Sequence, residues 1–145
     1  RRLWQALCFR KEIMIGHENK EYGYERLFEA VRYKPHSVPD LIREEPGLLN
    51  CKNYSGETVM HWFVVENNIE IVTLLFECGG TVSSYALTEA CSLGLVDMVY
   101  LLLKMEVVPD LQSCRCQIKL GDVPKATTLK LKQAFHRFGY ELYEA

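Results

Sequence analysis

The chain has 145 residues, 48% of them apolar and 25% charged, with nine Gly and five Pro; this fits one globular domain and excludes a collagen-like or a disordered chain. Its longest apolar stretches, Ile69 to Phe76 and Leu95 to Leu103, are interrupted by Glu70, Thr73 and Asp97 and fall far short of the ~20 residues that cross a bilayer, so no membrane partner is expected. The formal charge of −2 divides into +3 over residues 1–34, −8 over 35–110 and +3 over 111–145; an acidic middle repels a phosphate backbone, so no nucleic-acid partner is expected either.

In chain order, Arg1 to Arg10 has basic flanks around Leu3, Trp4, Leu7, Cys8 and Phe9, too short an apolar run for a secretion signal, and reads as a helix. Leu27-Phe28-Glu29-Ala30-Val31 begins the first helix pair, with Val38, Leu41 and Ile42 as its second apolar face and Pro39 in that helix's first turn. Gly56 to Gly79 reads as two short helices. Met60, Phe63 and Val64 lie at helical spacing, and Asn67-Asn68 is a turn dipeptide. Ile71, Val72, Leu74, Leu75 and Phe76 form the next apolar face, which Gly79-Gly80 ends. Leu87 to Leu103 repeats this layout: Asn67 aligns with Gly94 and Phe76 with Leu103, both at an offset of 27. Upstream, Leu27 to Val31 aligns with Met60 to Val64 at an offset of 33. Downstream, the shorter offset carries Gly94 onto Gly121 and predicts a degenerate last pair over Leu111 to Leu120 and Pro124 to Tyr140, with Pro124 near a first turn.

Asn53-Tyr54-Ser55-Gly56-Glu57-Thr58-Val59-Met60-His61 resembles the opening of an ankyrin repeat, with Asn53 in place of the usual Asp and Val59-Met60-His61 in place of Pro-Leu-His. The resemblance implies an all-α solenoid of about three to four helix-turn-helix repeats with shortened β-turn fingers and helical caps. Residues 1–23 form the N-terminal cap, with Trp4, Leu7, Cys8 and Phe9 covering the end of the stack. Repeats then run over 24–56, 57–83 and 84–110, and 111–145 is a degenerate repeat and C-terminal cap. The spacing of 27 is six short of the family's period of about 33, and the missing residues fall between Gly80 and Leu87, so the finger there is stunted. In the family, the Thr and His of this motif tie neighbouring turns together, which implies a structural role for Thr58 and His61.

The six cysteines lack the dense spacing of a disulfide scaffold and point to a reducing, cytoplasmic location. Cys114-Arg115-Cys116 is the only close pair, and with no second pair or His partner it predicts neither a metal nor a cofactor. No phosphate loop, nucleophile elbow or zinc-protease helix occurs, and Glu44, Glu45, Glu66 and Glu70 read as surface charge, so an enzyme is not expected. The aromatic residues Tyr22, Tyr24, Tyr33, Tyr54, Trp62, Tyr85, Tyr100, Tyr140 and Tyr143 include several at predicted turns or helix ends, which suits a recognition surface, whereas Trp62 and Tyr100 suit core or cap packing. Lys125, Lys130 and Lys132 mark the basic outer face of a capping helix.

The resemblance implies a protein-protein interaction module. Its contact positions are Tyr54, Ser55 and Glu57 on the turn, Val65 and Glu66 after the middle first helix, Arg32 and Tyr33 in the repeat before, and Ser92 and Leu93 in the repeat after. Two alternatives stand beside it. One is an immunity or inhibitor protein that neutralises a basic effector with its acidic middle; the other is a regulatory ankyrin segment of a larger enzyme. Self-association is left open.

Overall fold

The computed structural model describes residues 19–143, with side-chain environments from Gly23 onward. The N-terminal helix and the cap residues Trp4, Leu7, Cys8 and Phe9 lie outside the described residues. Among the described residues there are eight α-helices: α1 (Asn19–Tyr33), α2 (Val38–Glu44), α3 (Val59–Val65), α4 (Ile69–Glu77), α5 (Ser84–Ser92), α6 (Val96–Lys104), α7 (Leu111–Leu120) and α8 (Lys125–Arg137). Two 3-10 turns, Pro35–Ser37 and Pro46–Asn50, and one antiparallel bridge between Lys52 and Thr58 complete them. The architecture is the all-α helical repeat predicted above. It falls into two compact units, Arg1–Val59 and Met60–Ala145.

In the first unit α1 packs on α2 and on both 3-10 turns, with Leu27, Val31, Val38, Ile42 and Leu48 buried. Helix α1 starts upstream of residue 24, where the cap was expected to hand over to the first repeat. Pro39 occupies the first turn of α2, where a missing N–H costs nothing because that group has no intrahelical partner. Arg26 forms an ion pair with Glu45, fastening α1 to the turn after α2. The finger that follows is built on Asn53. Its Oδ1 accepts from the backbone N–H groups of Ser55 at 3.0 Å and Glu57 at 3.1 Å, and its carbonyl accepts from Gly56 N–H at 2.9 Å. Asparagine thus performs the acceptor role expected of aspartate. Gly56 adopts φ 76°, which only glycine takes without steric cost.

In the second unit the first helices form one row, with α5 packed on α7, and the second helices form another, with α6 packed on α4 and on α8. Loops 78–83 and 105–110 carry no bridge, so the finger is indeed reduced there. Helix α5 begins at Ser84, ahead of the expected start at Leu87. Ser83 sets this start, its hydroxyl oxygen accepting the Ala86 N–H at 3.1 Å. Phe76 is 42% exposed, unlike its repeat equivalent Leu103, which is 3% exposed.

Helices α3 to α8 all stop in the same way. Each is followed by a residue at positive φ: Asn67 (60°), Gly79 (99°), Gly94 (67°), Glu106 (66°), Asp122 (52°) and Gly139 (88°). The next N–H then reaches back to the carbonyl at the start of the helix's last turn, as in Asn68 to Phe63 at 3.0 Å and Gly80 to Leu75 at 2.8 Å. This satisfies carbonyls that a helix end leaves orphaned. The last repeat departs from the predicted alignment. The left-handed residue is Asp122, one position beyond the expected Gly121, which keeps φ −76°. Gly139 follows Glu106 at a longer interval than Glu106 follows Gly79, chiefly because α8 has 13 residues against 9 in α6.

Glu106 is the least suited of these caps, since it is exposed, has a Cβ at φ 66°, and places a negative charge at the C-terminal end of α6. Left-handed geometry and the helix dipole both oppose it. Glu106→Gly is therefore expected to stabilise the protein by about 1 kcal/mol. A urea midpoint that rises at constant m value would show this; a midpoint that stays or falls would contradict it.

Candidate binding surface

Each predicted contact residue has a definite place. Arg32 and Tyr33 close the C-terminal end of α1, and Tyr33 is 76% exposed. Arg32 is held in position: its guanidinium sits 5.4 Å from the Phe28 ring, and Phe28 stacks on Tyr24 with centroids 5.9 Å apart. These three residues recur every four positions and so share one face of α1. Tyr54, 48% exposed, and Ser55, exposed, form the tip of the Asn53 finger.

Two expected contacts prove to be buried. Glu57 is only 9% exposed because the finger's hydrogen bonds pin it at the finger's foot, its N–H given to Asn53 Oδ1 and its carbonyl accepting the Asn53 N–H at 3.0 Å. Val65 ends α3, a helix buried along its whole length. A helix without a polar stripe has no solvent face, and Val59-Met60-His61-Trp62-Phe63-Val64-Val65 contains no Asp, Glu, Lys or Arg. That signal was present in the sequence.

Glu66 and Leu93 share the offset that relates Asn67 to Gly94 and occupy equivalent places after α3 and α5, both half-buried. Ser92 is tied down locally, its hydroxyl donating to the Glu89 carbonyl at 2.7 Å. Tyr85, absent from the predicted contacts, is 64% exposed and stacks on the His61 ring at 5.6 Å. His61 Nε2 lies 3.3 Å from Glu89 Oε1. Through these contacts the buried His61 links α3 to α5, the structural part the motif implies, and Thr58 takes its place in the bridge with Lys52.

Four acids of the acidic middle have local duties at helix starts. Asp40, Glu70 and Asp97 lie in the first turns of α2, α4 and α6, where a negative charge meets the positive end of the helix dipole. Asp110 caps α7: one carboxylate oxygen accepts the Ser113 N–H at 3.1 Å and the other its hydroxyl at 2.8 Å, and these bonds hold the carboxyl below its usual range. Asp40 also pairs with Arg43 at 2.8 Å. At the C-terminal end, α8 buries Leu131, Ala134 and Phe135 and leaves Lys125 and Lys130 exposed, whereas Lys132, expected on the same basic outer face, is half-buried.

Short helix pairs repeated in tandem, joined by left-handed caps and headed by a glycine-containing finger, define a helical-repeat protein of the kind that binds other proteins. The family model describing ankyrin repeats, in three copies, matches residues 27–113. The chain belongs to the ankyrin-repeat family, whose members are generally protein-protein interaction modules. No curated protein and no solved structure matches it.

Proposed function

We propose that the chain is a non-catalytic module that binds a protein partner through its first-helix ends and its finger. The repeats are cut at 24–56, 57–83, 84–110 and 111–145. Arg32, Tyr33, Tyr54 and Ser55 make the contacts of the first unit, and Glu66, Ser92 and Leu93 those of the second. The observation that carries this reading is the exposure of two large aromatic rings, Tyr33 and Tyr54, at a helix end and a finger tip. A tyrosine offers a wide apolar face with a polar tip at little entropic cost, which suits recognition better than folding. A reducing, cytoplasmic setting is proposed from the sparse spacing of the six cysteines along the chain. Because the acids are spread over helix starts and local pairs, binding is proposed to depend on shape and aromatic contact more than on a basic partner.

A photo-crosslinking residue placed at position 33 or 54 should trap the same partner. Tyr33→Ala or Tyr54→Ala should weaken its binding roughly tenfold or more, with an unchanged melting temperature. Full binding by both variants would refute the assignment, and steep loss of affinity with salt would instead favour neutralisation of a basic effector.

A further inference from the structure

Helix α5 turns one line of residues away from its core. Tyr85, Glu89 and Ser92 recur at helical spacing and so share a face, opposite the buried Ala86, Leu87, Ala90 and Cys91. Tyr85 is 64% exposed, and Glu89 and Ser92 are half-buried. The offset that relates Asn67 to Gly94 also relates Thr58 to Tyr85. Thr58 is taken up in the bridge of the full finger, whereas the loop before α5 forms no bridge, so at the equivalent position a long aromatic side chain faces water.

The ring and the carboxylate are both set by one buried group. The Tyr85 ring stacks on the His61 ring with centroids 5.6 Å apart and planes 30° from parallel. One turn further along α5, Glu89 Oε1 lies 3.3 Å from His61 Nε2. His61 is too deep to reach a ligand, but it fixes an aromatic face beside a negative charge. Glu89 is the one charged residue of α5, which contains no Lys or Arg. A carboxylate accepts up to about four hydrogen bonds, so holding His61 and receiving a further donor are compatible.

We infer that Tyr85 and Glu89 receive an arginine side chain of the protein partner. This deepens the reading of the chain as a binding module and rests on it, since the same face of α5 continues to Ser92, already placed among the contacts. A guanidinium is flat and forked: it stacks on the Tyr85 ring while its N–H groups point along its plane toward the Glu89 carboxylate. The ammonium of lysine, a compact and strongly hydrated point charge, gains less from the ring. Recognition of one arginine asks for a cation at one place and not for a basic partner as a whole.

The test titrates Nα-acetyl-arginine amide into the labelled intact chain and follows backbone amide shifts. Saturable shifts centred on Tyr85 and Glu89 are expected, with an affinity roughly fivefold or more above that for the citrulline amide, which keeps the shape and loses the charge, and roughly threefold or more above that for the lysine amide. Glu89→Gln keeps an acceptor toward His61, and Tyr85→Leu keeps an apolar cover over it without an aromatic face. Each should weaken arginine binding roughly fivefold or more, and Tyr85→Phe should retain it. Melting curves show that each variant is folded; where one is not, the comparison of arginine with citrulline on the unaltered chain decides. Equal affinity for citrulline or for lysine, no saturable shift, or shifts that persist in both weakened variants would each overturn the proposal. A partner trapped through position 33 or 54 that binds the Glu89→Gln chain at full strength would also overturn it while the module reading stands. Failure of both crosslinks would instead refute the module reading, so the two failures are told apart.

Discussion

Gly121→Ala should destabilise the protein by about 2 to 3 kcal/mol, although the residue's backbone (φ −76°, ψ −3°) suits alanine as well as glycine. The obstacle is steric. A Cβ on Gly121 would fall on the carbonyl oxygen of Ser92, the last residue of α5, and lie 3.1 Å from the Gln117 oxygen of its own helix. Backbone atoms cannot swing aside as a side-chain end can, so α5 and α7 must separate at this point. Gly47→Ala is the matching control: a Cβ there meets nothing within 4 Å. Its effect should stay within about 0.5 kcal/mol. Urea unfolding of the two variants side by side measures the difference, and equal stabilities would show that the turn after α7 is not a point of close approach.

Phe135→Ala should cost more, about 3 to 5 kcal/mol, because the ring has no exposed surface and its removal leaves a cavity beneath α8 that neighbours fill only in part. The Phe135 carbonyl also accepts the Tyr140 N–H at 3.0 Å in the cap that ends α8, so loosening at this residue spreads to the chain that covers Arg115. Repeat arrays are stabilised by nearest-neighbour contacts, so the loss should be local. Amide exchange is the informative measurement. Exchange in α7 and α8 should quicken by orders of magnitude while that in α1 changes little, and uniform acceleration along the chain would show that the last repeat does not unfold on its own.

Much of the fold could be read directly. Asn67-Asn68 between two apolar periods marked the α3–α4 turn. Ile69 to Val72 and Val96 to Val99 announced α4 and α6, and Leu111 to Leu120 coincides with α7. Each of these signals is local, a helical spacing of apolar side chains or a residue tolerant of left-handed backbone. The candidate surface was legible in part for the same reason, since Tyr33 ends a helix and Tyr54 sits in a turn, both places that tend to face water.

What was misjudged depended on neighbours. Glu57 looked like a turn residue free to reach a partner, but the acceptor at Asn53 draws its backbone into the finger's foot. Gly121 looked like the equivalent of Gly94, because the offset between the earlier equivalents led to it. The left-handed position passed to Asp122, and Gly121 instead lies where the Ser92 carbonyl leaves no room for a side chain.

By itself, then, the order of residues determined that this protein is a row of helix pairs, where each pair turns, and which finger is full and which reduced, since these depend on groups only a few positions apart. Only the tertiary structure decided that Glu57 is hidden and that Tyr85 stands out against His61. Exposure and contact between distant side chains are set by how closely one helix settles on the next, and no spacing rule within one helix contains that distance.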